Sequence, residues 1–230
     1  MSRGRTRPPS YDAVAAVEHL RRAHPRMASL IDQVGPCTMT VHNLPPYQAL
    51  VQSIVYQQLN GRAAATILGR VLAIYAPKSF PTPEDLLSTD DAIFRAAGLS
   101  RAKTKAVKSL AQHAIEGTVP TRAQAMRLAN DELVERLTRV RGIGRWTVEM
   151  LLIFGLSRPD VWPVLDFGVR KGLGLTFGKR RTPTPKQATP FARKFTPYSS
   201  VAAWYFWRAC ELKPAPPPVR KAKSAKSRRR

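Results

Sequence analysis

Two glycines, Gly142 and Gly144, stand between two helix-periodic segments, and a lone aspartate, Asp166, follows at the start of a third. The stretch reads Leu137-Thr138-Arg139-Val140-Arg141-Gly142-Ile143-Gly144-Arg145-Trp146-Thr147-Val148, then Trp162-Pro163-Val164-Leu165-Asp166-Phe167-Gly168-Val169-Arg170-Lys171. It constrains the chain to reverse between two helices through a tight hairpin. Glycine permits positive φ and lets another molecule come close to bare backbone. The first amides of the helix at Trp146 then face outward at the positive end of its dipole, which suits a phosphate. An ordinary two-glycine helix connector has the same spacing, so the hairpin alone leaves the choice open.

The remaining patterns are helical too, and the chain reads as all-α. Tyr11 to Ala23 places Val14, Val17 and Leu20 on one side. Tyr47 to Tyr75 carries Leu50, Ile54, Leu59, Ile67, Leu68 and Val71, and Gly61 breaks or bends it. A short helix at Pro83 to Leu87 has acids in its first turn, and Asp91 to Ala97 ends at the C-cap candidate Gly98. Ser100 caps a helix to Glu116. Helices follow at Thr121 to Leu128, Asn130 to Thr138, Trp146 to Leu156 and from Asp166 onward. A loop with Pro183, Pro185 and Pro190 precedes the last helix, Ser199 to Leu212. No repeat and no convincing strand set appears; Thr38 to Val41 is the one extended candidate. Residues 1–10 read as a flexible basic arm, 11–213 as the globular domain and 214–230 as a disordered basic tail.

Charge narrows the partner. Lysine and arginine number 38 against 15 acids, for a net charge of +23. Such a surface attracts a polyanion: nucleic acid first, an anionic membrane surface as the alternative. The longest apolar stretch, Met150 to Leu156, contains Gly155 and is too short to span a membrane. The N-terminus is basic without an apolar signal core. A cytoplasmic protein is the expectation. Cys37 and Cys210 form no C-x-x-C pair and no iron–sulfur or zinc spacing.

Asp166 follows the turn at Pro163, where a plain N-cap is one role. An ionised carboxylate held there is also suited to stabilise a cation or orient a water. Trp146, Trp162, Tyr198, Trp204, Tyr205, Phe206 and Trp207 crowd these motifs in sequence. Such rings form either core or the walls of a pocket for a flat, electron-poor ring. Arg139, Arg141 and Arg145 add cations at the hairpin.

Together these residues resemble the helix–hairpin–helix DNA glycosylase superfamily, in its AlkA-like, bacterial 3-methyladenine DNA glycosylase II branch. Three further segments carry the resemblance: Ser53 to Ile67 with its Gln57-Gln58 pair, Ala96-Ala97-Gly98-Leu99-Ser100-Arg101-Ala102-Lys103, and Pro197 to Arg208. With the hairpin they cover roughly residues 45–212. The resemblance implies two helical lobes with the active-site cleft between them. It implies that Asp166 is the catalytic carboxylate and that Trp146, Trp207, Met150 and Tyr198 line the base pocket. Gly142, Gly144, Arg141, Arg145 and Thr147 would bind DNA. Gln58, with Leu59 as second choice, would fill the gap left by a flipped nucleotide. The carbonyls of Thr138, Val140 and Ile143 would hold a monovalent cation, sodium or potassium.

Departures from the family pattern bear on substrate range. Leu165 stands where a second acid often precedes the aspartate, Arg141 replaces the hairpin's usual proline, and Met150 takes the place of a tyrosine. Trp146 occupies the position of the lysine that lyase-competent members carry. The implied activity is therefore a monofunctional glycosylase, acting as a monomer on duplex DNA with alkylated purines and needing no cofactor for catalysis. Two cysteines exclude the iron–sulfur branch. The alternatives are a noncatalytic sensor of distorted DNA and a glycosylase for other damaged purines.

Overall fold

Helix starts in this chain are set by side-chain caps, and a computed structural model describing residues 6–212 shows how they divide it. Asp12 caps α1 (Ala13–Ala23) by accepting the Val14 and Ala15 amides. The buried stripe of α1 is Ala16 and Leu20; Val14 is exposed, against the expected apolar side. After the break at His24 comes a helix not among those expected, α2 (Pro25–Val34). The His24 ring accepts the Arg26 amide, Pro25 sits at the first position, and Met27, Leu30 and Ile31 form the buried face. Gly35 ends it at φ +85°.

Residues 6–10 are not a free arm. Thr6–Arg7 (β1) pairs antiparallel with Val41–His42 (β2), and Ser10 donates its N–H to Ser157 Oγ at 2.8 Å. Two residues per strand give no alternation to read. Residues 1–5 and the tail expected at 214–230 lie outside the described residues.

The long apolar pattern after residue 46 splits into α3 (Pro46–Tyr56) and α4 (Gly61–Ala73). Asn60 caps α4 by accepting the Ala63 amide, so Gly61 begins a helix rather than bending one. Thr82 and Asp85 form a reciprocal capping box on α5 (Pro83–Ser88). α6 (Asp91–Ala96) stops at Gly98, and Ser100 starts α7 (Arg101–Ile115). α8 (Arg122–Arg127) and α9 (Asn130–Leu137) lead into the hairpin. α10 (Arg145–Met150) continues as a π-helical turn, Leu151–Gly155, closed by Leu156 N–H to Leu151 O at 2.9 Å. Asp166 caps α11 (Phe167–Thr176). Two short helices, α12 (Pro185–Ala188) and α13 (Ala192–Phe195), fold the proline-rich loop before α14 (Ser199–Ala209).

These helices pack in two groups. α1 and α2 pack on α14, and α11 and α13 join them. α3 to α7 form the other group, with α9 and α10 beside it and the π-helical turn against α3. The beginning and the end of the described chain therefore build one lobe, and its middle builds the other. α11 and α14 approach so closely that a Cβ on Gly172 would stand 1.8 Å from the Phe206 carbonyl oxygen. That contact fixes the register of the two helices and brings Trp207 of α14 beside the start of α11.

Candidate active site

The hairpin follows from its glycines, and the two differ. Gly142 has φ +82°, and a Cβ there would meet Ala106 Cβ at 2.8 Å. Gly144 has φ −96°, extended backbone that any residue adopts, with open space around its Cβ position. Its freedom is access, not the positive φ expected of both glycines. Ile143 N–H closes the turn on Val140 O at 3.1 Å, and no side chain caps α10. Its first amides are thus open at the positive end of the helix. The Val140 and Ile143 side chains are buried. The Thr138 and Ile143 carbonyls accept no hydrogen bond among the described residues. Val140 O takes the Ile143 N–H and keeps a second lone pair, so all three carbonyls retain the neutral oxygen donors that a hard monovalent cation takes.

A second loop is tied to this hairpin. Gln57 donates from Nε2 to Gly142 O at 2.9 Å. Lys103 Nζ donates to Val55 O and Gln57 O, both at 2.7 Å, and so closes the C-terminus of α3. Burial lowers the Lys103 pKa from its ordinary value. The anchored loop presents Gln58 and Leu59 to solvent, with Gln58 at φ +57°. A left-handed conformation in a non-glycine residue costs on the order of 1–3 kcal/mol, so the surroundings must hold it. Gln57 and Lys103 thus hold this loop, a part not expected of them from sequence, although both stand in segments that carry the resemblance.

Asp166 sits at the meeting of the lobes, and three N–H groups hold its carboxylate. Oδ1 accepts Val169 N–H at 2.7 Å and Trp207 Nε1–H at 2.9 Å. Oδ2 accepts Trp146 Nε1–H at 2.7 Å. The Val169 bond is the N-cap; the two indoles come from α14 and from α10 of the other lobe. Gly168 makes room for this, since a Cβ there would lie 2.8 Å from Trp207 Cδ1 and 3.1 Å from Asp166 Oδ1. Trp207 also packs on Phe154, ring centroids 5.6 Å apart. Trp146 remains 45% exposed, enough to form a wall of an open cleft. Half-buried Met150 follows it by one turn on the same helix. Leu165 and Phe167 on either side of Asp166 are exposed at 50% and 62%, an apolar rim around one carboxylate.

Other expected site residues go elsewhere. Tyr198 lies at the opposite end of α14 from Trp207 and packs on Tyr11 and His19 of the α1 region. Nine residues of helix span roughly 13 Å, so Tyr198 does not share a pocket with Trp207. Thr147 is 4% exposed, because it lies on the inner side of α10, so its hydroxyl is not on the outer surface of the hairpin. Arg145 donates from Nε to Glu149 Oε1 at 2.9 Å and approaches Asp131 at 3.6 Å, so acids of its own chain already engage it. Arg139 pairs with Glu135, which leaves Arg141 as the exposed hairpin cation outside any ion pair among the described residues. Trp162, Trp204 and Tyr205 belong to the core, with Trp162 donating to Ala188 O and Tyr205 to Gly35 O. Cys37 and Cys210 are half-buried free thiols.

Glu149 is the second acid near the site. It is 2% exposed, and its Oε2 has no hydrogen-bond partner. Burial pushes its carboxyl above the usual range, Arg145 pulls it back, and the Asp166 charge adds to the rise. No helix among the described residues is long and apolar enough to cross a membrane.

Comparison with known proteins places this geometry. The model of the HhH-GPD superfamily base excision DNA repair proteins matches residues 51–197. The chain is 39% identical over 198 residues to DNA-3-methyladenine glycosylase 1 of Schizosaccharomyces pombe, covering 86% of each. It is 28% identical over 169 residues to DNA-3-methyladenine glycosylase 2 of Escherichia coli, covering 68% of this chain and 55% of that one. Among solved structures, the S. pombe 3-methyladenine DNA glycosylase in complex with abasic DNA superposes with a TM-score of 0.77 at 38% identity. That match covers 86% of this chain and 97% of the other.

Proposed function

Because the chain belongs to the HhH-GPD superfamily of base excision DNA repair proteins, we propose that it is a monofunctional DNA glycosylase. It releases alkylated purines of the 3-methyladenine and 7-methylguanine type from duplex DNA by hydrolysis. The observation that carries this reading is the carboxylate of Asp166, held by three N–H donors at the mouth between the lobes. A carboxylate fixed in this way is preorganised to face a developing positive charge.

The steps follow from the residues. Open amides at the start of α10 and the exposed Arg141 hold the phosphate backbone, in a salt-dependent manner. The carbonyls of Thr138, Val140 and Ile143 would hold a sodium or potassium ion, which would supply positive charge beside the phosphate backbone. Gln58, with Leu59 beside it, enters the space left by the extruded nucleotide. Unstacking costs a few kcal/mol and least at damaged pairs, which favours lesions. The alkylated base enters beside Trp146, Trp207 and Met150, where aromatic faces attract its positive charge. The C1′–N bond breaks with its electron pair leaving on the base, which becomes neutral; Asp166 stabilises the oxocarbenium-like sugar, and water adds to C1′ and loses its proton to solvent. A cationic base leaves without help from a general acid, so one carboxylate suffices. The side chains bonded to Asp166 are tryptophans, and no lysine is among them to form a Schiff base and cut the strand. The enzyme acts as a single chain in the cytoplasm, on the chromosome.

The test is incubation with methylated duplex DNA, with free bases and cleaved strands measured separately. Free methylpurine with intact strands supports the reading. Asp166→Asn is expected to abolish release and to retain DNA binding. Tight binding with no base released from any lesion would instead make the protein a sensor of distorted duplexes and Asp166 a helix cap.

A further inference from the structure

Between Phe167 and Cys210 the chain contains no acidic residue and nine lysines and arginines. Its densest part is Lys179-Arg180-Arg181, immediately after α11. Gly178 at φ +65° ends that helix, with Lys179 N–H donating to Gly174 O at 2.8 Å. A Cβ on Gly178 would press on the Arg26 guanidinium at 2.7 Å, so the turn that releases the triplet is packed against α2. The triplet then lines one wall of a groove of about 980 Å³. Thr184, Gln187 and Phe191 form the other wall.

The groove is built. Arg170 Nη1 donates to Pro183 O at 2.9 Å and fastens its floor to α11. Thr184 and Gln187 form a reciprocal capping box that fixes α12. Lys194 stands over the Phe191 ring at 5.8 Å. None of Lys179, Arg180, Arg181, Lys186, Arg193 and Lys194 makes an ion pair with an acid among the described residues. By contrast, both Arg139 and Arg145 at the hairpin are paired. Uncompensated cations on a fixed frame create a positive potential whose natural counterpart is a run of phosphates.

Its position separates it from the cleft. Asp166 caps the N-terminus of α11, and the triplet follows its C-terminus. Ten residues of helix place the two about 15 Å apart. The groove therefore lies beyond the nucleotide that Asp166 would meet, at the end of α11 that points away from the cleft.

We propose that this groove is a second binding site for the sugar-phosphate backbone, occupied by a segment of duplex DNA other than the one in the cleft. A chain that holds two segments passes from one to the other without full release, which shortens a search for rare sites. The site depends on charge and shape alone and does not rest on the catalytic assignment of Asp166.

The experiment uses the full chain and the variant Lys179→Gln/Arg180→Gln/Arg181→Gln, both with the basic tail in place. The cleft is first saturated with a short duplex containing an abasic-site analogue. A fluorescent undamaged duplex is then titrated at several salt concentrations. The wild-type chain is expected to take up the second duplex. The variant is expected to bind it at least tenfold more weakly, with a log–log salt slope lower by about 2.7, from about 0.9 per lost phosphate contact. First-duplex affinity, base release and melting temperature should stay unchanged. A wild-type stoichiometry of one duplex would overturn the proposal, and so would equal second-duplex binding by the variant. Loss of first-duplex affinity in the variant would also overturn it, by placing the groove within the cleft's footprint. Binding to anionic phosphatidylserine vesicles in preference to the second duplex would assign the groove to a membrane surface instead. If methylated DNA yields no free base while the second duplex still binds, the glycosylase reading fails and this one stands.

Discussion

Replacing Gly168 by alanine tests whether the indole bonds to Asp166 matter for chemistry. The new Cβ would sit 2.8 Å from Trp207 Cδ1 and 3.2 Å from its Nε1. The indole cannot yield freely, because Phe154 packs on its face. It must rotate, and the 2.9 Å bond to Asp166 Oδ1 breaks. A hydrogen bond to a charged group contributes about 1.5–3 kcal/mol. Fully lost in the transition state, that is roughly a 10- to 150-fold fall in rate. Stability should fall by up to about 3 kcal/mol, so the rate is read at a temperature and enzyme concentration where the variant is folded. Crowding costs about 1–3 kcal/mol, and alanine within α11 returns up to about 1 kcal/mol over glycine. The assay is single-turnover release of methylpurine at saturating enzyme, with DNA affinity and melting temperature measured beside it. Trp207→Phe removes the same N–H without crowding. Added to that background, Gly168→Ala should cost much less than it does alone, since both act through one bond. A wild-type rate for Gly168→Ala, or an equal loss in both backgrounds, would refute the reasoning.

Two other predictions rest on the hairpin and on the buried acid. Gly142→Ala combines positive φ with a 2.8 Å contact to Ala106 and should destabilise the fold by about 2–4 kcal/mol in denaturant titration. Gly144→Ala, with open space at its Cβ position, should change stability by under about 0.5 kcal/mol yet weaken duplex binding by placing a methyl where a phosphate approaches. Equal stability losses for the two would contradict the separate roles of the glycines. Glu149 has a raised pKa in the folded chain, so folding takes up protons there. Its stabilising contribution is present below about 4.5, the ordinary value, and is lost as pH rises through the folded value. Glu149→Gln cannot ionise and still accepts from Arg145. Its melting temperature relative to wild type should therefore climb from pH 4.5 toward neutrality, and a constant difference across that window would count against a buried ionisable Glu149.

Local chemistry was readable in the sequence where one residue does one thing. Ser100 and Asp166 each cap a helix as their side chains before a helical pattern imply, and Thr121, read as the first residue of its helix, is that helix's cap. The glycine hairpin and the division at Asn60–Gly61 follow from the same kind of signal. What was not readable depends on distance through space. Tyr198 and Trp207 are neighbours in sequence terms but stand at opposite ends of α14. α2 was legible and passed over: Pro25 at its first position and Met27, Leu30, Ile31 and Val34 at i, i+3, i+4 and i+7 make a helical stripe. The engagement of Arg145 had a visible i,i+4 acid, Glu149, but its burial is a property of the packed fold. No local pattern announces that Trp146 reaches across to the Asp166 carboxylate from a different helix group.

The lobe that carries Asp166 draws its helices from both ends of the described chain: α1 and α2 rest on α14. During synthesis those first helices emerge long before their partner. Leu20, Met27 and Ile31 then have no Phe206 or Tyr205 to meet, whereas α3 to α7 already have one another. The middle lobe should therefore fold first on the ribosome, and the Asp166 lobe last. Nascent chains stalled before α14 would then have an ordered hairpin support but protease-sensitive N-terminal helices. The carboxylate would gain its Trp207 bond only in the final step of maturation.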